Sequence, residues 1–564
     1  MPASPPSWRA RADPVLVLAG ALVGLSFLLR LPLLRVRGFN PDEFQHLHHA
    51  WCVGKGMVPY RDYFDHHTPW LHFVTAPLLS LLDVDTVPAD AVAALFMARG
   101  LMWVAAGAVL VLTFGLGRDV FGARAGGLAT LLLAGSAFFL GKSLEFRPDV
   151  PAAALFVGGL WLATRALAAA PAPPRVLPML ALAGAALGSA TMFTQKVVFA
   201  LPGLALAATA LIVRHAPAAR RDRIRGVGAA LLGFAVPVAL TTAYFAVRGA
   251  AWPFINDNFV LNARWEGPSA GPFVAELVRE DAPLTLLGAA GLLSMLVELR
   301  RPPLAPGPLV VALTSLSLWL GLLVHPVVTR HYFLLLLPLV AIAAASVLLR
   351  LAERLPTRAV VPVLLAAMVS LSVPPLLRLR AAFGRTNDST LQQIRWVIGN
   401  TAPWEPVLDG FTGLGVFRPH LGMHAFQTRD ARWIQGPEEE RALEEGLRSG
   451  RLMPRLVFWN HYLEEGIPPG LAGFLLANYA DAGRAPIRVR MFDNGAGWWT
   501  DEGPRRLGWP PPGSREPHLY VGRGWRLQPE GSRRRTAGSA AEAWLPVREP
   551  GPFHVAVRAW AGPS

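Results

Sequence analysis

Long apolar runs separated by short polar breaks dominate the first two thirds of the chain. Eleven of them are expected to be helical spans, at roughly 15–34, 90–113, 124–141, 150–168, 177–193, 197–213, 225–247, 282–298, 308–324, 331–351 and 359–377. Each approaches the length that crosses a hydrocarbon core of about 30 Å. The first follows the basic flank MPASPPSWRARADP; its apolar part is long and no small-x-small cleavage site follows, so it reads as an uncleaved span. Only Thr194-Gln195-Lys196 separates the fifth from the sixth. The run 71–82 is apolar but short and predicts a surface helix rather than a crossing. A polytopic α-helical membrane protein with about eleven transmembrane helices is therefore expected.

The polar breaks alternate in kind. GRDVFGAR, RALAAAPAPPR, RHAPAARRDRIR, ELRRPP and LRLAERLPTR hold most of the basic charge and fall on every second connection. The positive-inside rule assigns them and the N-terminus to the cytoplasm. The opposite face then receives the loop 35–89, KSLEFRPD, the Gln195-Lys196 step, the loop Trp252 to Glu280 with its Trp and Asn residues, and HPVVTRH. Acids, histidines and aromatics concentrate on that non-cytoplasmic face, which predicts one reaction centre there. A transport path would more often place charges within spans, near the membrane midplane.

Beyond Arg378 the chain turns rich in Pro, Gly, Trp and Arg. APWEPVLDGF and PRLVFWN contain short strand-like runs, PEEERALEEGLRSG reads as an exposed helix, and APIRVRMF, HLYVGRGW and FHVAVRAW alternate as half-buried strands do. The expected organisation is a transmembrane catalytic domain over 1–378, with its first external loop at 35–89, and a non-cytoplasmic soluble α/β domain over 379–564. No internal repeat is evident, and GLGVF is too weak a match to a glycine-rich nucleotide loop.

Composition sharpens this picture in two places. The chain is 53% hydrophobic and 16% charged, and its net charge of +15 is explained by arginines at span ends and anionic headgroups rather than by nucleic acid. A single cysteine, Cys52, excludes an intrachain disulfide and any site built from several cysteines.

The chemistry is densest in FNPDEFQHLHHAWCVGKGMVPYRDYFDHHTPW, from Phe39 to Trp70, which holds five histidines, four carboxylates and seven aromatics. Asn40 can cap a helix, Pro41 suits its first turn, and Asp42 and Glu43 suit its positive end. At about 100° per residue Asp42, His46 and His49 share one face, while His48 turns away. His46, His48, His49, His66, His67 and His72 offer nitrogens for zinc or iron, but H-x-H-H followed by H-H is not the spacing of a common zinc motif. Gly54 and Gly56 end the helix, Tyr60-Arg61-Asp62-Tyr63 forms a turn, and two short re-entrant or surface helices are expected on either side.

The pattern D-E-x-x-H-x-x-x-A-x-x-x-G-x-G-x-x-x-Y-R-D-x-x-D-x-H-x-P, from Asp42 to Pro69, resembles the first external loop of GT-C glycosyltransferases that use polyprenyl-phosphate sugars. Protein O-mannosyltransferases and the aminoarabinose transferases of lipid A are the nearest groups. The likeness is specific in this loop and diffuse over the rest of 15–378. It implies Asp42 as the catalytic carboxylate with Glu43 beside it, and contacts to donor or acceptor from His46, Tyr60, Asp65 and His67. Thr68 departs from the His-Pro-Pro of many mannosyltransferases and leaves the subfamily open. In KSLEFRPD, the resemblance implies that Asp149 orients the sugar or a bound ion, with Arg147 pairing with it or reaching phosphate. Lys196, Arg330 and His331 are the corresponding candidates on the phosphate side, Arg330 having a fork suited to phosphate oxygens.

The reaction implied is sugar transfer to an envelope glycan, lipid or protein acceptor. An acceptor hydroxyl must lose a proton as it attacks, and a carboxylate of ordinary pKa, ~4, is ready as base at neutral pH. The leaving polyprenyl phosphate already carries stable charge and needs cationic clamps more than a proton donor. Direct displacement with one base inverts the anomeric centre. No cofactor is firmly implied, though the carboxylates and histidines leave room for a divalent cation. The expected location is the bacterial plasma (inner) membrane. The competing reading is a transporter or flippase of a lipid-linked substrate, which calls for ionisable groups at mid-span.

Overall fold

The computed structural model describes residues 13–169, 175–213, 217–265, 267–300, 305–384, 386–449, 451–484 and 486–490, and the strands 518–521, 525–529, 543–546 and 555–559. The basic flank 1–12 and parts of three basic loops (170–174, 214–216 and 301–304) lie outside the described residues. Two compact units emerge. The first comprises 1–38, 66–71 and 98–386, and the second 39–65, 72–97 and 387–564. The second unit thus takes in much of the first loop together with the C-terminal residues.

The first unit is helical. Among the described residues, eight helices are long and apolar enough to cross a membrane, or nine if a pair bent by 109° counts as one span. Eight of the eleven expected spans are these helices: Pro14–Val36, Pro88–Phe121, Asp149–Ala168, Val176–Phe193, Gln195–Val213, Arg220–Val247, Pro306–Val324 and Thr357–Ala382. The other three are helical but divided or part of a bent pair. The run 124–141 is divided into Ala123–Gly135 and Ala137–Lys142. The run 282–298 is the second arm of the bent pair, after Ala270–Glu280. The run 331–351 is divided into a 3-10 turn, Arg330–Leu334, and the helix Leu337–Glu353.

Polar groups far apart in sequence explain two of these breaks together. Asp281, at the bend, accepts from Ser136 Oγ at 2.7 Å and from the backbone N–H of Ala137 at 2.8 Å. The Ser136 hydroxyl in turn accepts from the N–H of Phe139 at 3.2 Å. The amides freed by the break are thereby satisfied, as a buried helix start requires. Elsewhere small residues let helices pack backbone to backbone. A Cβ on Gly184 would come within 1.9 Å of the Ala230 carbonyl oxygen, and one on Gly233 within 1.9 Å of that of Ala181.

In the second unit, a four-stranded sheet is ordered β1-β2-β4-β3, with β1 Val407–Asp409, β2 Leu456–Phe458, β3 Tyr479–Arg484 and β4 Ile487–Arg490. β1 and β2 are parallel, with Val407 opposite Leu456, and the other two pairings are antiparallel. Leu408 and Val457 on these strands form one core with Leu447, in the second of two helices that divide Arg429–Arg448 at Gly436 (φ 72°), and with Leu471 and Leu475 of the helix Pro469–Asn478. β1, β2 and β4 lie in runs expected to be strands, and the acidic run is helical; β3 is not among the expected strands. Two further antiparallel ladders pair 518–521 with 543–546 and 525–529 with 555–559.

Candidate functional site

In the second unit, the helix Pro41–Gly54 begins with a full capping box: the Asn40 side chain accepts from the N–H of Asp42 at 3.1 Å, and the N–H of Asn40 donates to Glu43 at 3.0 Å. Glu43 is buried by this task, whereas Asp42 is half-buried. The two adjacent acids are therefore not equivalent: one holds the helix start and the other lies nearer solvent. His46 and His49 follow on later turns, and both are buried. His46 Nδ1 lies 3.4 Å from His72 Nε2. Asp65 stands between His49 and His72, with its Oδ2 3.1 Å from one Nδ1 and 3.3 Å from the other.

The turn between these elements is tight. Gly56 and Tyr60 have positive φ of 83° and 68°, and the N–H of Tyr60 donates to the Tyr63 carbonyl at 2.8 Å. Tyr60 is buried, and its backbone closes the turn. His48 faces away from His46, as helical spacing predicts. Its Nδ1 lies 3.0 Å from the Val416 carbonyl oxygen, and its ring packs on His420. Burial pushes its pKa well below the usual histidine value, with His420 and His49 adding to the effect.

In the first unit, Arg147, Asp149, Lys196 and His331 come together. Lys196 Nζ lies 2.5 Å from Asp149 Oδ1, and Arg147 Nε lies 3.6 Å from Asp149 Oδ2. Arg147 Nη2 reaches His331 Nε2 at 3.1 Å, and Lys196 also sits 4.1 Å from the centre of the Tyr332 ring. All three charged groups are largely buried. Two cations thus share one carboxylate beside an imidazole, an arrangement suited to receiving an anion.

The segment His66–Leu71 is tethered in this unit. Gln195 and Asn262 side-chain amides each donate to the His66 carbonyl at 2.9 Å, and the buried Thr68 hydroxyl donates to the Thr191 carbonyl at 3.1 Å. Thr68, where the motif departs from many mannosyltransferases, therefore anchors the segment. Arg330 does not join Arg147. Its guanidinium pairs with Glu276 and lies 3.4 Å from Glu280, partners some fifty residues earlier that no local spacing reveals. His49 and His72 flank Asp65 and are absent from the expected contact set, although the face shared by Asp42, His46 and His49 was visible in the spacing.

No protein-family model matches the chain, and no curated protein does. Solved structures do. ArnT from Cupriavidus metallidurans, bound to undecaprenyl phosphate, superposes with a TM-score of 0.60 over 85% of this chain and 98% of that one, at 14% identity. The fold is GT-C. An oligosaccharyltransferase from Archaeoglobus fulgidus in the apo form has a TM-score of 0.54 at 13% identity, over 78% of this chain and 69% of that one. Its complex with Zn and sulfate has a TM-score of 0.50 at 13% identity, over 78% and 67%. In this fold Arg147 and Asp149 of KSLEFRPD, Lys196 and His331 form one buried polar group.

Proposed function

We propose that the chain is an inverting membrane glycosyltransferase. It moves a sugar from a polyprenyl-phosphate donor to an envelope glycan, lipid or protein on the non-cytoplasmic face. The observation that carries this reading is the buried group in which Lys196 and Arg147 share Asp149 beside His331. A pair of cations held ready in a low-dielectric setting favours a phosphate leaving group without protonating it. The likeness to a protein solved with undecaprenyl phosphate supports the same donor class.

In this proposal Asp42 is the base that takes the acceptor's proton, and Glu43 fixes the helix start that presents it. Lys196 and Arg147 receive the donor phosphate, with Asp149 keeping them in place, and His331 and His67 add hydrogen bonds around the sugar phosphate. Arg330 joins the phosphate side by exchanging Glu276 for phosphate. His46, Tyr60 and Asp65 shape the loop that carries Asp42. The N-terminus is cytoplasmic and residues 379–564 form a domain on the outer side of a bacterial inner membrane. Eleven crossings follow if the three interrupted segments also span, and the helices flanking Gly54 to Pro59 rest at the interface.

The test is reconstitution in liposomes with synthetic polyprenyl-phosphate sugars and envelope lipid as acceptor. Transfer should appear as acceptor-dependent release of free polyprenyl phosphate. Transbilayer movement of an intact donor, with no consumption, would replace this reading by that of a flippase.

A further inference from the structure

The second unit holds a cluster that phosphate chemistry leaves unused. We propose that His49, Asp65 and His72 form a three-ligand site for a divalent cation of the zinc class. Each of the three offers one ligand atom, these atoms all lie within 4.8 Å of one another, and all three residues are buried. The carboxylate oxygen lies 3.1 Å and 3.3 Å from the two nitrogens. Bonds of about 2.0–2.1 Å to a tetrahedral zinc ion put neighbouring ligand atoms roughly 3.3 Å apart. The two nitrogen–oxygen separations fit that edge.

Hydrogen bonding explains the cluster less well. Neither ring nitrogen of His49 makes a hydrogen bond among the described residues, although its Nδ1 is buried at contact distance from a carboxylate oxygen. Close approach without hydrogen-bond geometry is what ligand atoms around a common ion would show. A buried polar nitrogen without a hydrogen bond is costly, and coordination removes that cost. The second nitrogen of His72 faces His46 Nδ1 at 3.4 Å, and such outer partners commonly fix the tautomer of a metal-binding imidazole. Two imidazoles and one carboxylate suit zinc or a neighbouring first-row ion rather than calcium or magnesium.

The ligands come from three elements. His49 is on the helix Pro41–Gly54, Asp65 follows the Tyr60 turn, and His72 is on the helix Trp70–Leu79. An ion there would pin the turn to both helices and so fix the helix whose start bears Asp42. The site stands apart from the glycosyl-transfer reading, because metal retention is measured without donor or acceptor. Either can fail alone.

The test uses the full chain in detergent, stripped with chelator, dialysed against ZnCl2, desalted and analysed by mass spectrometry for zinc. Wild type and the surface control His461→Gln should each keep about one equivalent, as a closed structural or open catalytic zinc site does. Asp65→Asn and His72→Gln should keep none, and His46→Ala should bind about 10–100-fold more weakly. Cobalt loading decides the matter even where a variant misfolds, since the wild-type chain should show the intense visible bands of a tetrahedral N/O site. A wild-type chain that keeps no more zinc than Asp65→Asn, or shows only octahedral cobalt, overturns the proposal.

Discussion

Asp149→Asn removes one charge from a group of three and changes almost no volume. Asp149 is 1% exposed and Lys196 7%. The substitution leaves Lys196 and Arg147, both within 3.6 Å of the lost carboxylate, facing each other without the anion they share. Two unit charges about 4 Å apart interact by roughly 4 kcal/mol at the effective dielectric of a protein site. Removing one partner of a buried pair costs about 3–5 kcal/mol. Lys196→Met should cost less, since Asp149 then keeps Arg147. Thermal unfolding of the full chain in detergent should therefore rank wild type above Lys196→Met and Lys196→Met above Asp149→Asn. Undecaprenyl phosphate, supplying a replacement anion, should raise the melting temperature of Asp149→Asn more than that of wild type. Equal melting temperatures for Asp149→Asn and wild type, or the reverse ranking, would refute the picture of two cations held by one carboxylate.

Acidification should weaken the second unit. His420 and His424, lowered to about 4 chiefly by burial, and His48, also lowered, stay neutral where unfolded histidines near ~6.5 take up protons. The unfolded chain then binds more protons between pH ~4 and ~6.5, so stability falls as pH drops through that window. Asp409, raised by burial to about 7, opposes the trend between pH ~4 and 7, because its folded form holds the extra proton. Three histidines should outweigh it, and His420→Gln should flatten the unfolding profile; a profile already flat in wild type would contradict this. Gly413→Ala is a second stability test. Gly413 has φ of 77°, and an added Cβ would sit 2.1 Å from the Phe44 ring. Left-handed strain and overpacking together should cost at least about 2 kcal/mol. Gly422→Ala, at φ of 74° with nothing within 4 Å, should show the smaller strain alone.

Features written in a few consecutive residues were legible in the chain. Asn40-Pro41-Asp42-Glu43 announces a capped helix start, and VLD and LVF announce two strands. Eight spans follow from length and hydropathy. Features made by distant partners were not. The break at Ser136 is stabilised by Asp281, 145 residues away, and the run 124–141 is apolar on both sides of it. Arg330 carries the charge and placement of a phosphate ligand, yet Glu276 holds it. The ligand set around Asp65 depends on a turn with positive φ at Tyr60, an unusual conformation for tyrosine that no propensity predicts. Thr68 marks the intermediate case: as a departure from the motif it was visible, while its bond to the Thr191 carbonyl was not.

The central claim is that Asp42 takes the acceptor's proton during transfer from a polyprenyl-phosphate sugar. Asp42→Asn keeps the size of a half-buried side chain at the start of a capped helix, so folding should be preserved. Single-turnover transfer in liposomes, with undecaprenyl-phosphate sugar as donor and wild-type and Asp42→Asn proteins matched for melting temperature and donor binding, tests it most directly. The account predicts a rate loss of about 10²-fold or more, the usual worth of a positioned general base. Full turnover by Asp42→Asn would contradict it.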